Sequence, residues 1–367
     1  MSTVADFCRY FDAVTPLALA AEWDNVGLLL GDRATAVHRA ITCLTVTRAV
    51  VAEAVAAKAT LIVSHHPILF RGAKNLSGDS PDGRLLLPLL KGGVAVYSPH
   101  TAFDNAAGGI NAQLAEMLTL TAVRPLRRRD AERRCKVVVF TPAGDVPAVS
   151  AAMFQAGAGV IGNYRECSFR LPGTGTFFGT ENANPAVGEK GRREEAPEER
   201  LEVVCPEPLV GDVVAAMRAA HSYEEPAFDV YPLKSLPGDA GEGRLGELPA
   251  DTPLSVLAQQ VKYRLRTGAV QLVGDAGRAV RRVAIACGAA GEFLKDAIKA
   301  KADVFLTGEM RFHDYLHAEA EGVALLLPGH YATERPAVEA LAVRLAKDFP
   351  GVNVTASIRE RDPVTWV

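Results

Sequence analysis

Cysteine is sparse and unpaired in this chain. Six residues, Cys8, Cys43, Cys135, Cys167, Cys205 and Cys287, are scattered with no close pair among them. That excludes a zinc knuckle and a redox dithiol, and leaves buried free thiols as the expectation. An excess of one charge is missing as well: 40 basic and 43 acidic side chains give a formal net charge of -3, and the two signs are mixed rather than blocked. No electrostatic footprint for nucleic acid follows. Long hydrophobic runs are absent too. No segment approaches the roughly 18 to 20 apolar residues that span a bilayer, and Met1 to Leu19 is broken by Asp6, Arg9 and Asp12, unlike a secretory signal. The chain therefore reads as cytoplasmic, with neither membrane nor nucleic acid among its partners.

What is present is an ordinary globular balance, 49% hydrophobic in 367 residues, with room for two or three domains and a sizeable core. The first part alternates apolar strand runs with helical patterns: strands near 40–46, 60–63 and 93–97, and a helix across 49–57. This rhythm predicts an α/β fold with a mostly parallel sheet covered on both faces. It resumes late in the chain, with strands at 282–286, 303–307 and 323–327 and helices over 292–301 and 333–347. Between them lies a different unit. After the charged connector at 127–134 comes a strand at 136–140 and a helix that Asp145 can cap, running to 155. Strands at 166–170 and 175–178, a Gly- and charge-rich excursion over 181–199, a strand at 201–205, a helix over 209–220 and a strand at 227–231 complete it. The order β-α-β-β-α-β predicts a ferredoxin-like α+β insert. The expected domains are thus a split α/β metal-binding domain, 1–127 with 247–367, an insert over 135–233, and a linker over 234–246 rich in Gly and acidic residues.

Within that frame the histidines matter most. Leu61-Ile62-Val63-Ser64 is a buried-strand run that ends in His65, His66 and Pro67, and open α/β sheets place ligands at such carboxyl ends. If the extended geometry persisted through the pair, alternation would aim the rings apart and favour two neighbouring metals over one shared ion. Asp104 follows the next strand. His330 and Glu334 follow the strand at 323–327, and their spacing of four places them on one face of a helical turn. Each residue alone has an ordinary explanation, as a turn residue or a solvated helix face. All five, however, fall just past predicted strands of one sheet. Three histidines with two carboxylates suit two divalent ions of zinc, iron or manganese, and not an all-oxygen calcium or magnesium cage. Such a pair of ions carries hydrolytic chemistry. His100, Glu309 and His313 are the expected outer partners or proton carriers, the candidate catalytic residues. The segment Glu22-Trp23-Asp24-Asn25-Val26-Gly27 floors a pocket or forms a rigid turn. Gly288-Ala289-Ala290-Gly291 lacks the fuller signature of a nucleotide loop.

These blocks carry a resemblance. Trp23-Asp24-Asn25-Val26-Gly27, Ser64-His65-His66-Pro67, His100-Thr101-Ala102-Phe103-Asp104, Thr307-Gly308-Glu309 with His313-Asp314, and Gly329-His330-Tyr331-Ala332-Thr333-Glu334 resemble the signature blocks of the Nif-three-like dinuclear metal family. Its members often carry the name GTP cyclohydrolase I type 2 homologue. The resemblance implies metal ligands at His65, His66, Asp104, His330 and Glu334, and a toroidal homohexamer whose metal sites face an internal cavity. The middle module, through Gly157-Ala158-Gly159-Val160-Ile161-Gly162-Asn163-Tyr164 and His221-Ser222-Tyr223-Glu224-Glu225-Pro226, is similar to the PII and CutA folds, which in relatives pack as trimers. His221 with Glu224 and Glu225 is a candidate for a further metal site there. One departure stands out: Thr45 occupies a position where many members carry an aspartate, and a threonine supplies no anionic base or ligand.

The expected function is a dinuclear metal-dependent hydrolase of a small nucleotide-like or phosphorylated substrate, with a metal-bound hydroxide as nucleophile. GTP ring opening at the imidazole carbon of the purine is the candidate reaction that the resemblance implies. The alternative is a non-enzymatic hexameric metal-binding scaffold or regulator that senses a ligand through its insert.

Overall fold

The computed structural model of the chain describes residues 1–73, 75–128, 133–162, 164–234 and 241–366. It divides into two compact units, Met1–Arg129 with Asp239–Val367, and Asp130–Gly238. Among the described residues no helix is long and apolar enough to cross a membrane. The six cysteines are free, and all but Cys167 are buried.

The first unit holds two principal sheets where one was expected. In one, the strand order is Gly27–Leu30, Ala95–Ser98, Leu61–Ser64, Arg39–Cys43 and Asn353–Ala356, parallel except at the Gly27–Leu30 edge. In the other it is Gln271–Val273, Ala324–Leu327, Val304–Leu306, Ala279–Ile285, Arg244–Pro253 and Thr121–Arg124, parallel only through its centre. The mostly parallel expectation holds for the first sheet and not for the second. The strands Leu61–Ser64, Ala95–Ser98 and Ala324–Leu327 are buried at every position, the pattern of a sheet covered on both faces. A uniformly buried run carries no mark of which sheet it joins, so the sequence pattern could not separate the two.

One segment ties the sheets together. The strand Ala324–Leu327 leaves the second sheet, Gly329 turns the chain with φ 105°, and the helix His330–Asp348 begins at once, three residues before the expected start at Thr333. That helix packs on the first sheet. The Thr42 hydroxyl donates to the Val338 carbonyl at 3.0 Å, the Tyr10 hydroxyl donates to Asp348 at 2.7 Å, and Phe349 stacks on Phe7 with ring centroids 3.9 Å apart. The chain then enters the first sheet as Asn353–Ala356, parallel to Arg39–Cys43.

A buried ion pair fixes this crossing. Arg335 bonds Glu360, and both side chains are removed from water. Glu360 also accepts the backbone N–H groups of Leu44 at 2.9 Å and Thr45 at 2.6 Å, while Arg335 donates to the Ser357 carbonyl at 2.7 Å. The turn after Cys43 is thereby bonded to the first turns of the long helix.

Other expectations need adjustment. The helix expected over 292–301 is a 3-10 turn, Gly291–Phe293, followed by a short helix, Leu294–Lys299. Of the expected linker, 235–240 lie outside the described residues, whereas Gly241–Glu242 and Arg244–Pro253 are strands. Arg244 is buried there and donates to the carbonyls of Gly241, Gly243, Asn105 and Ala106. A stretch that looks loop-like by composition thus enters the sheet, paired with Ala279–Ile285 and Thr121–Arg124.

The second unit runs Arg134–Thr141, helix Val146–Gln155, Ser168–Phe178, Arg193–Pro206, helix Val210–Ala220 and Phe228–Leu233. Its antiparallel sheet has the order Phe228–Leu233, Arg134–Thr141, Arg193–Pro206, Ser168–Phe178. Where two short strands were expected there is a single 11-residue strand, Ser168–Phe178. Its Pro172 is tolerated because the strand lies at the sheet edge. The partner strand begins at Arg193, inside the expected excursion. Asp145 precedes its helix without a side-chain capping bond. His221 is fully employed: Nε2 faces the Phe140 carbonyl at 3.1 Å and Nδ1 accepts from the Tyr223 N–H at 3.0 Å, which fixes the Nε2–H tautomer. Glu224 accepts from the Asn184 N–H and Glu225 pairs with Arg218. The candidate metal site of the insert is therefore occupied by protein partners.

Replacing Glu360 by Gln should destabilise the chain by about 1 to 3 kcal/mol, because it removes the buried countercharge of Arg335 and leaves Glu339, 3.2 Å from its Nε, as the remaining carboxylate partner. Urea unfolding with Arg335→Met/Glu360→Leu as the comparison checks this; the double variant should lose much less. An unchanged midpoint in the single variant would show that the pair holds nothing.

Candidate metal centre

The strand Leu61–Ser64 stops one residue before the histidine pair. The N–H of His65 reaches the Cys43 carbonyl at 2.9 Å and that of His66 reaches Leu44 at 2.8 Å. In an extended strand successive N–H groups point to opposite sides. Here both turn to the same neighbour, so the alternation expected to part the rings is broken. The rings converge instead, with centroids 5.1 Å apart.

Glu334 joins the two halves of the chain. Its Oε2 lies 3.0 Å from His66 Nε2 and 3.1 Å from His330 Nε2, and those two nitrogens are 3.3 Å apart. Tetrahedral ligands bound at about 2.0 to 2.1 Å stand about 3.3 Å from one another, so this triangle has the dimensions of one face of a coordination shell. The other oxygen, Oε1, lies 3.8 Å from His65 Nε2, which in turn is 3.6 Å from Asp104 Oδ1. His65 is 2% exposed and neither ring nitrogen has a hydrogen-bond partner. A buried imidazole left wholly unpaired is unusual, and it fits a nitrogen kept for an ion. Two overlapping groups, His65 with His66 and His100, and His66 with His330 and Glu334, bring their ligand atoms within 4.8 Å of one another.

The electrostatics follow from this crowding. Burial holds the His65 imidazole well below its ordinary range, so it is neutral. Burial alone would also lower His330, but the hydrogen bond and charge of Glu334, then those of Glu309, outweigh it and hold His330 up at about 9. Burial would raise Glu334, but the hydrogen bonds of His330 and His66 and the charge on His330 outweigh it and keep the carboxylate ionised. Asp104 goes the other way, raised by burial and by the neighbouring Glu334 charge. Two carboxylates displaced in opposite directions within one pocket mark a candidate functional site.

Around this core the remaining candidates divide. Glu309 accepts from His330 Nδ1 at 2.9 Å, the orienting bond that metal-binding histidines commonly make. Thr45, the departure from the family pattern, bonds His66 Nδ1 at 2.7 Å, so its hydroxyl orients the ring where no carboxylate is present. His100 sits inside the histidine cluster, its ring 5.1 Å from that of His65. Its backbone is in the left-handed region at φ 28°, and Asp24 secures it by accepting from Nδ1 at 2.7 Å and from the Thr101 N–H at 3.2 Å. Burial would lower His100, but Asp24 and the charge of Asp104 raise it on balance. His313 lies exposed on the helix Phe312–Ala320 and does not line the cavity described next.

Three contributors were not foreseen from the sequence. Asp24 belonged to a segment whose pocket and turn explanations were evenly matched. Cys287, taken for an ordinary buried thiol, lies 3.1 Å from Asp104 Oδ1, and Asn111 accepts the Cys287 N–H at 2.8 Å. Gly288 has φ 68°, and a Cβ there would stand 2.4 Å from Glu334 Oε1. Gly288 makes room for this carboxylate. The whole centre opens on a cavity of about 460 Å³ whose walls include Trp23, Phe70, His100 and Asp104, a size suited to a small molecule.

The family model for Duf34/NIF3 (NGG1p interacting factor 3) matches residues 2–363. The chain belongs to the Duf34/NIF3 family. Among curated relatives, the GTP cyclohydrolase 1 type 2 homolog of Bacillus subtilis is 37% identical over 364 residues, covering 98% of this chain and 97% of that protein. The protein of the same name from Mycobacterium tuberculosis is 38% identical over 339 residues, covering 91% and 88%. Among solved structures, the Bacillus cereus protein related to NIF3 superposes with a TM-score of 0.78 at 34% identity, covering 100% of this chain and 99% of the other. Staphylococcus aureus SA1388 gives 0.81 at 25% identity, again covering 100% and 99%. The mixed α/β fold with several sheets is that of the NIF3 family.

Metal uptake requires a neutral His330, so below about pH 9 each binding event must displace its proton. Apparent affinity should therefore rise by up to about tenfold per pH unit between about pH 7 and pH 9, more steeply below about pH 7, where Asp104 must also lose a proton, and then level off above about pH 9. Calorimetry of zinc binding in buffers of different ionisation enthalpy measures the protons released. Uptake that is independent of pH between 6 and 9 would contradict it.

Proposed function

We propose that this NIF3-family protein is a dinuclear metal-dependent hydrolase of a small nucleotide-like or phosphorylated substrate, related in reaction to GTP cyclohydrolase type 2. His65, His66, Asp104, His330 and Glu334 would hold two divalent ions, zinc, iron or manganese. The observation that carries this is the division of Glu334, whose two oxygens face different histidines across the centre. When bound, two such ions activate water and stabilise a developing oxyanion.

The residues of the chain supply the rest. His100, locked by Asp24 through Nδ1, keeps its Nε2 to carry a proton at the rim of the centre. Trp23 and Phe70, with ring centroids 5.8 Å apart, form an apolar wall that can seat a flat ring and exclude water. Glu309 and Thr45 hold the two outer imidazoles in orientation. Glu309 and His313 remain candidate catalytic groups, Glu309 through His330 and His313 only from its exposed helix. We further propose a cytoplasmic homohexamer, and a ferredoxin-like character for the insert, supported by its β-α-β-β-α-β order. A cavity of about 680 Å³ within the insert, with Phe140, Arg200 and Tyr223 among its lining, favours the alternative of a regulator that senses a ligand there.

Incubating metal-loaded protein with GTP and with simple phosphoesters separates the two. His100→Gln should keep both ions and lose about 10²- to 10⁴-fold in rate, whereas Glu334→Gln should lose metal and turnover together. Absence of metal-dependent turnover on every substrate class would leave the regulator standing.

A further inference from the structure

His66 and His330 form a partition between two cavities. Besides the cavity that contains Asp104 and Glu334, a second of about 520 Å³ opens beside them, and the two share no lining residue except these histidines. Thr45 and Glu309, bonded to the two Nδ1 atoms, line the second cavity and not the first. The proposed chemistry places no substrate in this space.

Its walls have a definite character. Trp366, Tyr331 and Tyr315 contribute aromatic surface. The indole is seated against backbone: a Cβ on Gly268 would come within 2.9 Å of it, and Gly329 lies beneath its far edge. Charge in the lining leans negative. Arg361 is its one arginine or lysine, against Glu309 and Asp362, while Glu360 is spent on Arg335. Glu309 is 60% exposed and gives one oxygen to His330, so it retains accepting capacity. Stacking surface combined with carboxylate acceptors selects for flat rings that carry N–H donors, and works against recognition through a phosphate.

We infer that the second cavity is a binding site for a planar nitrogen heterocycle bearing ring N–H or exocyclic amino groups, the chemical class that includes purine bases. Trp366 provides the stacking surface, and Asp362 and Glu309 accept the hydrogen bonds. An occupant would touch the Nδ1 partners of both partition histidines, so heterocycle and metal would influence each other's affinity reciprocally.

Guanosine, which carries such donors and no phosphate, is the probe, titrated calorimetrically into the full chain as purified. Binding is expected, weakened about tenfold or more in Trp366→Ala by loss of stacking, weakened also in Asp362→Asn, and unchanged in Glu292→Gln of the first cavity. Circular dichroism checks that Trp366→Ala is folded, and the milder Asp362→Asn keeps the experiment decisive if it is not. No detectable binding, or binding unaffected by both variants, overturns the site. Loss confined to Glu292→Gln overturns it too, by placing the heterocycle in the first cavity. Turnover scored on the His100 and Glu334 variants is a separate readout, so failure of this site leaves the hydrolase proposal untouched.

Discussion

Glu334 is a carboxylate with almost no access to water, 3% exposed, and much of the first unit is arranged to make that tolerable. An isolated buried carboxylate would take up a proton instead of remaining charged. Three imidazoles prevent this, two of them brought by the strand after Arg39–Cys43 and one by the helix that carries Glu334 itself. Their convergence requires two sheets to meet at one point. The long helix meets that requirement by starting from the second sheet and packing on the first. Without bound ions, the proton on His330 acts as the countercharge. A divalent ion would take over that role, which is why protonation and metal uptake compete for the same atoms.

The neighbouring ion pair does a complementary job. Arg335 is next in sequence to Glu334, and Glu360 is bonded both to it and to the backbone of Leu44 and Thr45. Thr45 in turn orients His66. A continuous chain of contacts thus runs from the C-terminal segment to an imidazole of the candidate centre without passing through the centre. Buried pairs of this kind contribute little net stability when intact and are costly to break by removing one half. Their effect is to define position.

Much of the candidate site was legible because strand ends announce themselves. Apolar runs that stop at His65-His66-Pro67 and at Pro328-Gly329-His330 marked where ligands emerge, and the four-residue spacing of His330 and Glu334 predicted a shared helical face that the structure contains. Sheet membership was not legible, because Leu61–Ser64 and Ala324–Leu327 are equally buried and equally apolar. Nor was the convergence of the histidine pair, which depends on the extended geometry stopping at Ser64, so that both N–H groups turn to one neighbouring segment. Arg244 and Glu360 were invisible for another reason. Long-range bonds of a single charged side chain leave no local pattern, and the stretch around Arg244 has the composition of a loop. Cys287 and Asp24 gave only weak signals, since a scattered cysteine and an acid in a turn are ordinary residues until their neighbours are known.

The glycines around Glu334 have a wider consequence. A Cβ on Gly308 would stand 2.6 Å from the Gly288 carbonyl and 2.7 Å from His330 Cα, and Gly288 itself presses on the carboxylate. The centre is walled here by main chain, whose path is set by the sheets and not by side-chain chemistry. Ala289, exposed on the same loop, can then be exchanged without displacing the carboxylate. Such a construction separates inheritance of the centre from adaptation of its surroundings, so a lineage can keep one and revise the other.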